Sequence, residues 1–187
     1  AHRPSVTATI YSDDAGKTWQ AGEIAVACTE EWINPNETVA IELADGSVML
    51  NVRSESKAHC RLVTVSKDGA TGWSTPFFDE ALVEPICMGG IVRYSTAESG
   101  GKNRILFSNP DNLSRADGKE VPGKNRDRTN VSVKLSYDES RTWGVNKVIE
   151  PGPSMYSDIA VTKAGTILCF HGRGMKPGFA GEYLTLA

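Results

Sequence analysis

The sequence predicts an all-β chain built as a radial repeat of small antiparallel sheets. Three observations carry that expectation. The box Ser12-Asp13-Asp14-Ala15-Gly16-Lys17-Thr18-Trp19 returns at Ser66–Trp73 and Ser136–Trp143, with Ser, Asp and Trp at the same offsets. Its spacings of 54 and 70 residues are the kind of self-similarity that marks a repeat architecture. Helical periodicity is nearly absent, and short alternating or apolar runs are separated by Gly, Asp, Asn and Pro.

The elements follow in order. Ser5–Tyr11 and Glu23–Ala27 are read as strands joined by the first box. In the box, a short Asp carboxylate accepts hydrogen bonds from nearby backbone N–H groups and fixes a tight turn. Gly16 supplies the unusual backbone angle, and the Trp returns to bury its ring on the sheet. After the polar stretch Thr29–Asn36 come Val39–Leu43, an Asp45-Gly46 hairpin turn, Val48–Ser54, Cys60–Val65, the second box and a short outer strand at Phe77–Phe78. Four antiparallel strands of this kind make one propeller blade. Gly90–Tyr94, Arg104–Ser108, Asn130–Ser136 and Lys147–Ile149 make a second, interrupted by a long polar insertion from Asn109 to Asp127. Past a break at Pro151-Gly152-Pro153 come Asp158–Thr162, Thr166–Phe170 and Glu182–Leu186. Residues 1–187 thus read as one partial propeller domain, with blade boundaries near 37, 86 and 154. That is roughly three blades, against about four to eight in a closed wheel. The missing blades are expected from the same parent chain or, alternatively, from a second copy of this one. The opening Ala-His-Arg-Pro-Ser looks cut rather than natural.

Bulk properties exclude several classes of function. The net charge is −3 over 187 residues, so no basic field argues for nucleic acid. No apolar run approaches the roughly 20 residues of a membrane span, and no basic-then-apolar leader is present. Cys28, Cys60, Cys87 and Cys169 form no CxxC pair, and the three histidines lack ligand spacing. No metal and no cofactor are therefore expected, and the cysteines read as buried free thiols.

Four residues stand near the ends of predicted inner strands, where propeller sites lie. Glu37 precedes a strand in Asn36-Glu37-Thr38, and Arg53 closes its hairpin return in Val52-Arg53. Arg128 opens Arg128-Thr129-Asn130-Val131-Ser132-Val133-Lys134-Leu135-Ser136, just before the third box. Tyr156-Ser157 follows the Pro-Gly turn. The boxes resemble the Asp-boxes of bacterial neuraminidase (BNR) repeats. The ordered set, with Phe107-Ser108-Asn109-Pro110, resembles the active site of the sialidase family over essentially the whole chain. The resemblance implies part of a six-bladed sialidase-type β-propeller, with the boxes as structural turns and no catalytic role for Asp14, Asp68 or Asp138. It also implies a retaining exo-α-sialidase. In it Tyr156 is the nucleophile, Glu37 is its base, and Arg53 and Arg128 grip the carboxylate of a sialylated glycoconjugate.

The chemistry needs these residue types. A planar guanidinium holds a carboxylate through two parallel charge-assisted hydrogen bonds. The substrate's own carboxylate would repel an anionic nucleophile at the anomeric carbon, and a neutral phenol avoids this. A phenol with a pKa near ~10 needs a base to take its proton. Taken singly, Arg53 and Arg128 also suit exposed strand positions, Glu37 a solvated loop and Tyr156 a core cap. Arg61, Arg93, Arg104 and Arg126 are set aside as decoys, and His59 and His171 as surface or loop residues. A third carboxylate-binding Arg and an Asp general acid, both implied by the resemblance, match no stretch of this chain. The alternatives are a non-catalytic Asp-box propeller that binds sialylated glycans or proteins, and a two-carboxylate hydrolase in which Tyr156 is incidental. A secreted or periplasmic location is expected.

Overall fold

The computed structural model describes residues 3–99, 101–119, 126–174 and 182–187. Among these, twelve strands form three antiparallel sheets, and the only helical element is the 3-10 turn Ala97–Ser99. The first sheet pairs β1 (Thr7–Tyr11) with β2 (Gln20–Val26). The second runs in chain order through β3 (Asn36–Glu42), β4 (Val48–Arg53), β5 (Cys60–Ser66) and β6 (Phe77–Val83). The third runs through β7 (Gly90–Ser95), β8 (Arg104–Pro110), β9 (Thr129–Ser136), β10 (Val145–Val161), β11 (Ile167–Arg173) and β12 (Tyr183–Leu186). The long insertion is described only in part, since 120–125 lie outside the described residues.

The core lies between sheets, and period-two alternation places it there. Leu50 and Val52 of β4 and Leu62 of β5 pack with Ala25 and Val26 of the first sheet. Met49 and Val63, one residue out of phase, pack with Ile41 and with Ile105 of the third sheet. The second sheet is thus covered on both faces.

Three sequence expectations are corrected here. Pro151-Gly152-Pro153 does not end a strand, because β10 runs through it. Val145 to Pro153 pairs with β9, and Ser154 to Val161 pairs with β11. Proline lacks a backbone donor. Here the hand-over uses Pro153 only as an acceptor, its carbonyl taking the Gly174 N–H at 2.9 Å. The second correction concerns the box tryptophans. Trp73 packs on the first core cluster and Trp143 on the second, where its Nε1 donates to Asp79 Oδ2 at 2.9 Å. Trp19 instead stays 60% exposed, its Nε1 donating to the Gly16 carbonyl, because its sheet has a single packed face.

The boxes are hydrogen-bonded turns. Asp14 Oδ1 accepts from Ser12 Oγ at 2.8 Å and Thr18 N at 2.9 Å. Asp138 repeats this with Ser136 and Thr142. In the second box Thr71, one residue earlier than the pattern, takes the threonine's place on Asp68. The bonds from Thr18 and Ser12 hold the Asp14 carboxyl down at about 2. All four cysteines are free thiols, and burial pushes Cys87 up to about 12. The third correction concerns the histidines: His59 lies in the loop between β4 and β5, as expected, and His171 lies on β11, but both are buried rather than at the surface. His171 is paired on both sides of β11, and His59 Nδ1 lies 3.3 Å from the Glu84 carbonyl oxygen.

Candidate active site

Glu37 and Tyr156 both sit at β-bulges. On β3, Asn36 pairs with Arg53 and Thr38 with Val52, which leaves Glu37 as the extra residue. Its φ of +31° lies in the left-handed region. A bulge re-aims a side chain out of the period-two alternation, and a non-glycine residue there stores about 1–3 kcal/mol of strain. On β10, Ser154 pairs with Arg173 and Ser157 with His171, so Met155 and Tyr156 together oppose Gly172. The flanking serines are buried anchors. Ser154 Oγ accepts from the Val131 N–H at 3.2 Å, and Ser157 Oγ lies 2.8 Å from Ser108 Oγ. Tyr156 between them stays 39% exposed.

The four residues singled out in the sequence meet at this point. Tyr156 Oη donates to Glu37 Oε1 at 2.6 Å. Arg53, cross-strand from Asn36, forms an ion pair with the other Glu37 oxygen. The Arg128 guanidinium carbon lies 5.3 Å from the Tyr156 ring centroid, within cation–π range. Its backbone carbonyl accepts from Ser154 N at 2.9 Å, which ties the start of β9 to the tyrosine segment. Arg128 itself is 2% exposed, and its Nη2 donates to the Ile86 carbonyl at 2.5 Å. Arg53 Nε is buried and has no acceptor among the described residues. Such a donor in a native fold needs an explanation.

The electrostatics keep the phenol protonated. Burial, the Glu37 hydrogen bond and the Glu37 charge push the Tyr156 pKa above its usual value, while Arg53 and Arg128 pull against them. A phenol so placed is neutral, and a carboxylate acceptor stands within proton-transfer distance. Among the described residues, no group of three or more His, Cys, Asp or Glu side chains converges as a metal site.

Three of the four arginines set aside in the sequence engage other side chains. Arg61 is bound to Glu84 and Asn51, Arg93 to Glu139, and Arg104 lies over the Tyr94 and Tyr137 rings. Arg126, buried, donates its backbone N–H to the Pro85 carbonyl at 3.3 Å. Sequence reasoning missed the Ile86 carbonyl that holds Arg128, because a main-chain acceptor has no residue signature.

The family model of the BNR repeat-like domain matches residues 2–169. The chain belongs to that family. This BNR-repeat chain is similar to a sialidase of Micromonospora viridifaciens, with 32% identity over 179 residues, covering 94% of this chain and 24% of that protein. A sialidase of Vibrio cholerae is 29% identical over 168 residues, covering 81% and 20% respectively. Among solved structures, Hadza microbial sialidase Hz136 superposes with a TM-score of 0.70 at 27% identity, over 87% of this chain and 29% of that one. The chain therefore spans about a quarter of the length of the curated relatives it matches. Its sheets are part of a sialidase-type β-propeller.

Proposed function

We propose that this chain carries the nucleophile, its base and two arms of the carboxylate clamp of a retaining exo-α-sialidase. The observation that carries the reading is the 2.6 Å hydrogen bond from Tyr156 to Glu37, with one guanidinium on the carboxylate and another over the phenol ring. The named sialidase relatives support sialic acid as the sugar.

In this mechanism Arg53 and Arg128 grip the sugar carboxylate and orient the anomeric carbon toward Tyr156 Oη. The oxygen attacks that carbon, Glu37 takes the phenolic proton, and the bond to the aglycone breaks. The positive oxocarbenium-like transition state is flanked by a neutral nucleophile, so attack brings no second anion against the substrate carboxylate. Water then attacks the sialyl–Tyr156 intermediate from the opposite face. The phenolate leaves, recovers its proton from Glu37, and the anomeric configuration is retained overall. The general acid, which protonates the departing aglycone oxygen and then takes a proton from the attacking water, and the third arginine come from residues other than 1–187. In this reading the blades begin near 37, 86 and 154. Further blades of the parent protein cover the apolar side chains now exposed on the outer sheets, such as Ile10, Ile24, Leu184 and Leu186.

The test is a 3-fluorosialosyl fluoride trap applied to the full-length protein, followed by peptide mass mapping. Covalent mass on the peptide containing Tyr156, with turnover of a fluorogenic sialoside, is the expected result. Binding without either outcome selects the lectin-like alternative, and an adduct on a carboxylate selects the two-carboxylate hydrolase.

A further inference from the structure

The Ile86 carbonyl that holds Arg128 belongs to the connection between β6 and β7. The stretch Glu84-Pro85-Ile86-Cys87 is buried throughout. Its backbone is not one that its residues prefer, since Ile86 has a φ of +62° and is β-branched. Something must over-determine that conformation, and the contacts identify it.

Arg61, on β5, is 0% exposed and Glu84 is 1% exposed. Arg61 Nη1 donates to Glu84 Oε2 at 2.5 Å and to the Cys87 carbonyl at 3.2 Å. Glu84 Oε1 accepts the Cys87 N–H at 2.8 Å. Both ends of the stretch are therefore tied to one ion pair. Asn51 of β4 fixes the rest of the guanidinium, its Oδ1 accepting from Nε at 2.6 Å and its carbonyl from Nη2 at 3.1 Å. Between the two tied ends, the Ile86 carbonyl faces Arg128 Nη2. A fully buried ion pair is a poor device for stability, because desolvation offsets the attraction and apolar replacements often do as well. What it supplies here is a fixed geometry.

We infer that Arg61 and Glu84 are a positioning pair. They lock the Glu84–Cys87 stretch so that the Ile86 carbonyl holds the Arg128 guanidinium over the Tyr156 ring. The inference rests on the proposed function for the roles of Arg128 and Tyr156, while the placement itself rests on contacts alone. In this inference neither Arg61 nor Glu84 meets the sugar, and the pair acts on it through Arg128.

Side-chain NMR of the full-length protein tests this without any substrate. Arg128, assigned by Arg128→Lys, is expected to show guanidinium resonances displaced by the Tyr156 ring current, and Tyr156→Leu is expected to remove the displacement. Glu84→Gln is expected to remove it too, while the amide fingerprint of the strands is retained. Arg61→Lys, which keeps a charge beside Glu84 but loses the fork, serves where Glu84→Gln does not fold. An undisplaced Arg128 in either folded variant supports the positioning pair. A retained displacement overturns it, and so does failure of both variants to fold, which would make the pair a folding element. Because no sugar is used, failure here is distinct from failure of the sialidase reading.

Discussion

Tyr156 donates its phenolic hydrogen to Glu37 across 2.6 Å, although 119 residues separate them in the chain. Each stands at a bulge, so neither follows the inside–outside alternation of its strand. The hydrogen bond therefore depends on two local departures from sheet geometry. One of them places a glutamate at positive φ. Strain of that kind persists only where surrounding structure enforces it.

The first prediction concerns chemistry. Glu37→Gln is expected to lower kcat on a fluorogenic sialoside by about 10²–10⁴-fold, the usual contribution of a general base. Tyr156→Phe is expected to lower it further, since it removes the attacking atom itself, with binding of a sialic acid analogue largely retained. Steady-state kinetics on the full-length protein check both. Undiminished turnover in Tyr156→Phe rejects Tyr156 as the nucleophile.

The second prediction separates the clamp from general sugar binding. A hydrogen bond to a charged group contributes about 1.5–3 kcal/mol, or roughly 10–100-fold in affinity. Arg53→Ala and Arg128→Ala are each expected to weaken a sialic acid analogue by that factor and a neutral hexose by much less. Calorimetric titration reads the difference, and equal losses for both ligands count against the clamp.

The third prediction is a dependence of stability on pH. Asp14 titrates at about 2 in the folded chain, held down by Thr18 and Ser12, against about 3.9 when unfolded. With the folded value depressed, the unfolded state binds the proton more tightly below pH ~4, so its stabilisation is present above that and is lost as pH falls toward 2. Asp14→Asn is expected to flatten the fall of Tm between pH 4 and 2. Thermal scans across that window check it, and an unchanged slope removes the box from the acid response.

The architecture was legible in the sequence because repeats and alternation are carried by residue types. Three boxes and period-two runs are visible without coordinates, whereas Glu37, Arg53, Arg128 and Tyr156 stand out as a set only through their resemblance to the sialidase family. What escaped was carried by the backbone. Pro151-Gly152-Pro153 reads as a break, yet a strand that changes partners at that point needs only the carbonyl of Pro153. The grip on Arg128 runs through the Ile86 carbonyl, and any residue could have supplied it. His171 lies in a polar-looking stretch, His-Gly-Arg-Gly, but pairing on both sides of β11 encloses it.

The last prediction concerns how the sheets are joined. Arg93 of β7 binds Glu139 through two parallel bonds, at 2.7 and 2.6 Å. The same pair reaches the second sheet, with Arg93 Nη2 donating to the Glu42 carbonyl at 2.8 Å and Glu139 Oε2 accepting the Ala44 N–H at 2.8 Å. Glu139 holds this position at a φ of +61°, the place Ala15 takes in the first box at +59°. Alanine therefore fits the backbone there, and Glu139→Ala removes the carboxylate without reshaping the turn. Arg93→Ala, Glu139→Ala and the double variant form a cycle whose coupling is expected at about 0.5–3 kcal/mol, the range for residues in direct contact. Urea unfolding of the four chains measures it. A coupling within about 0.3–0.5 kcal/mol of zero would show that Arg93 and Glu139 act as independent sites.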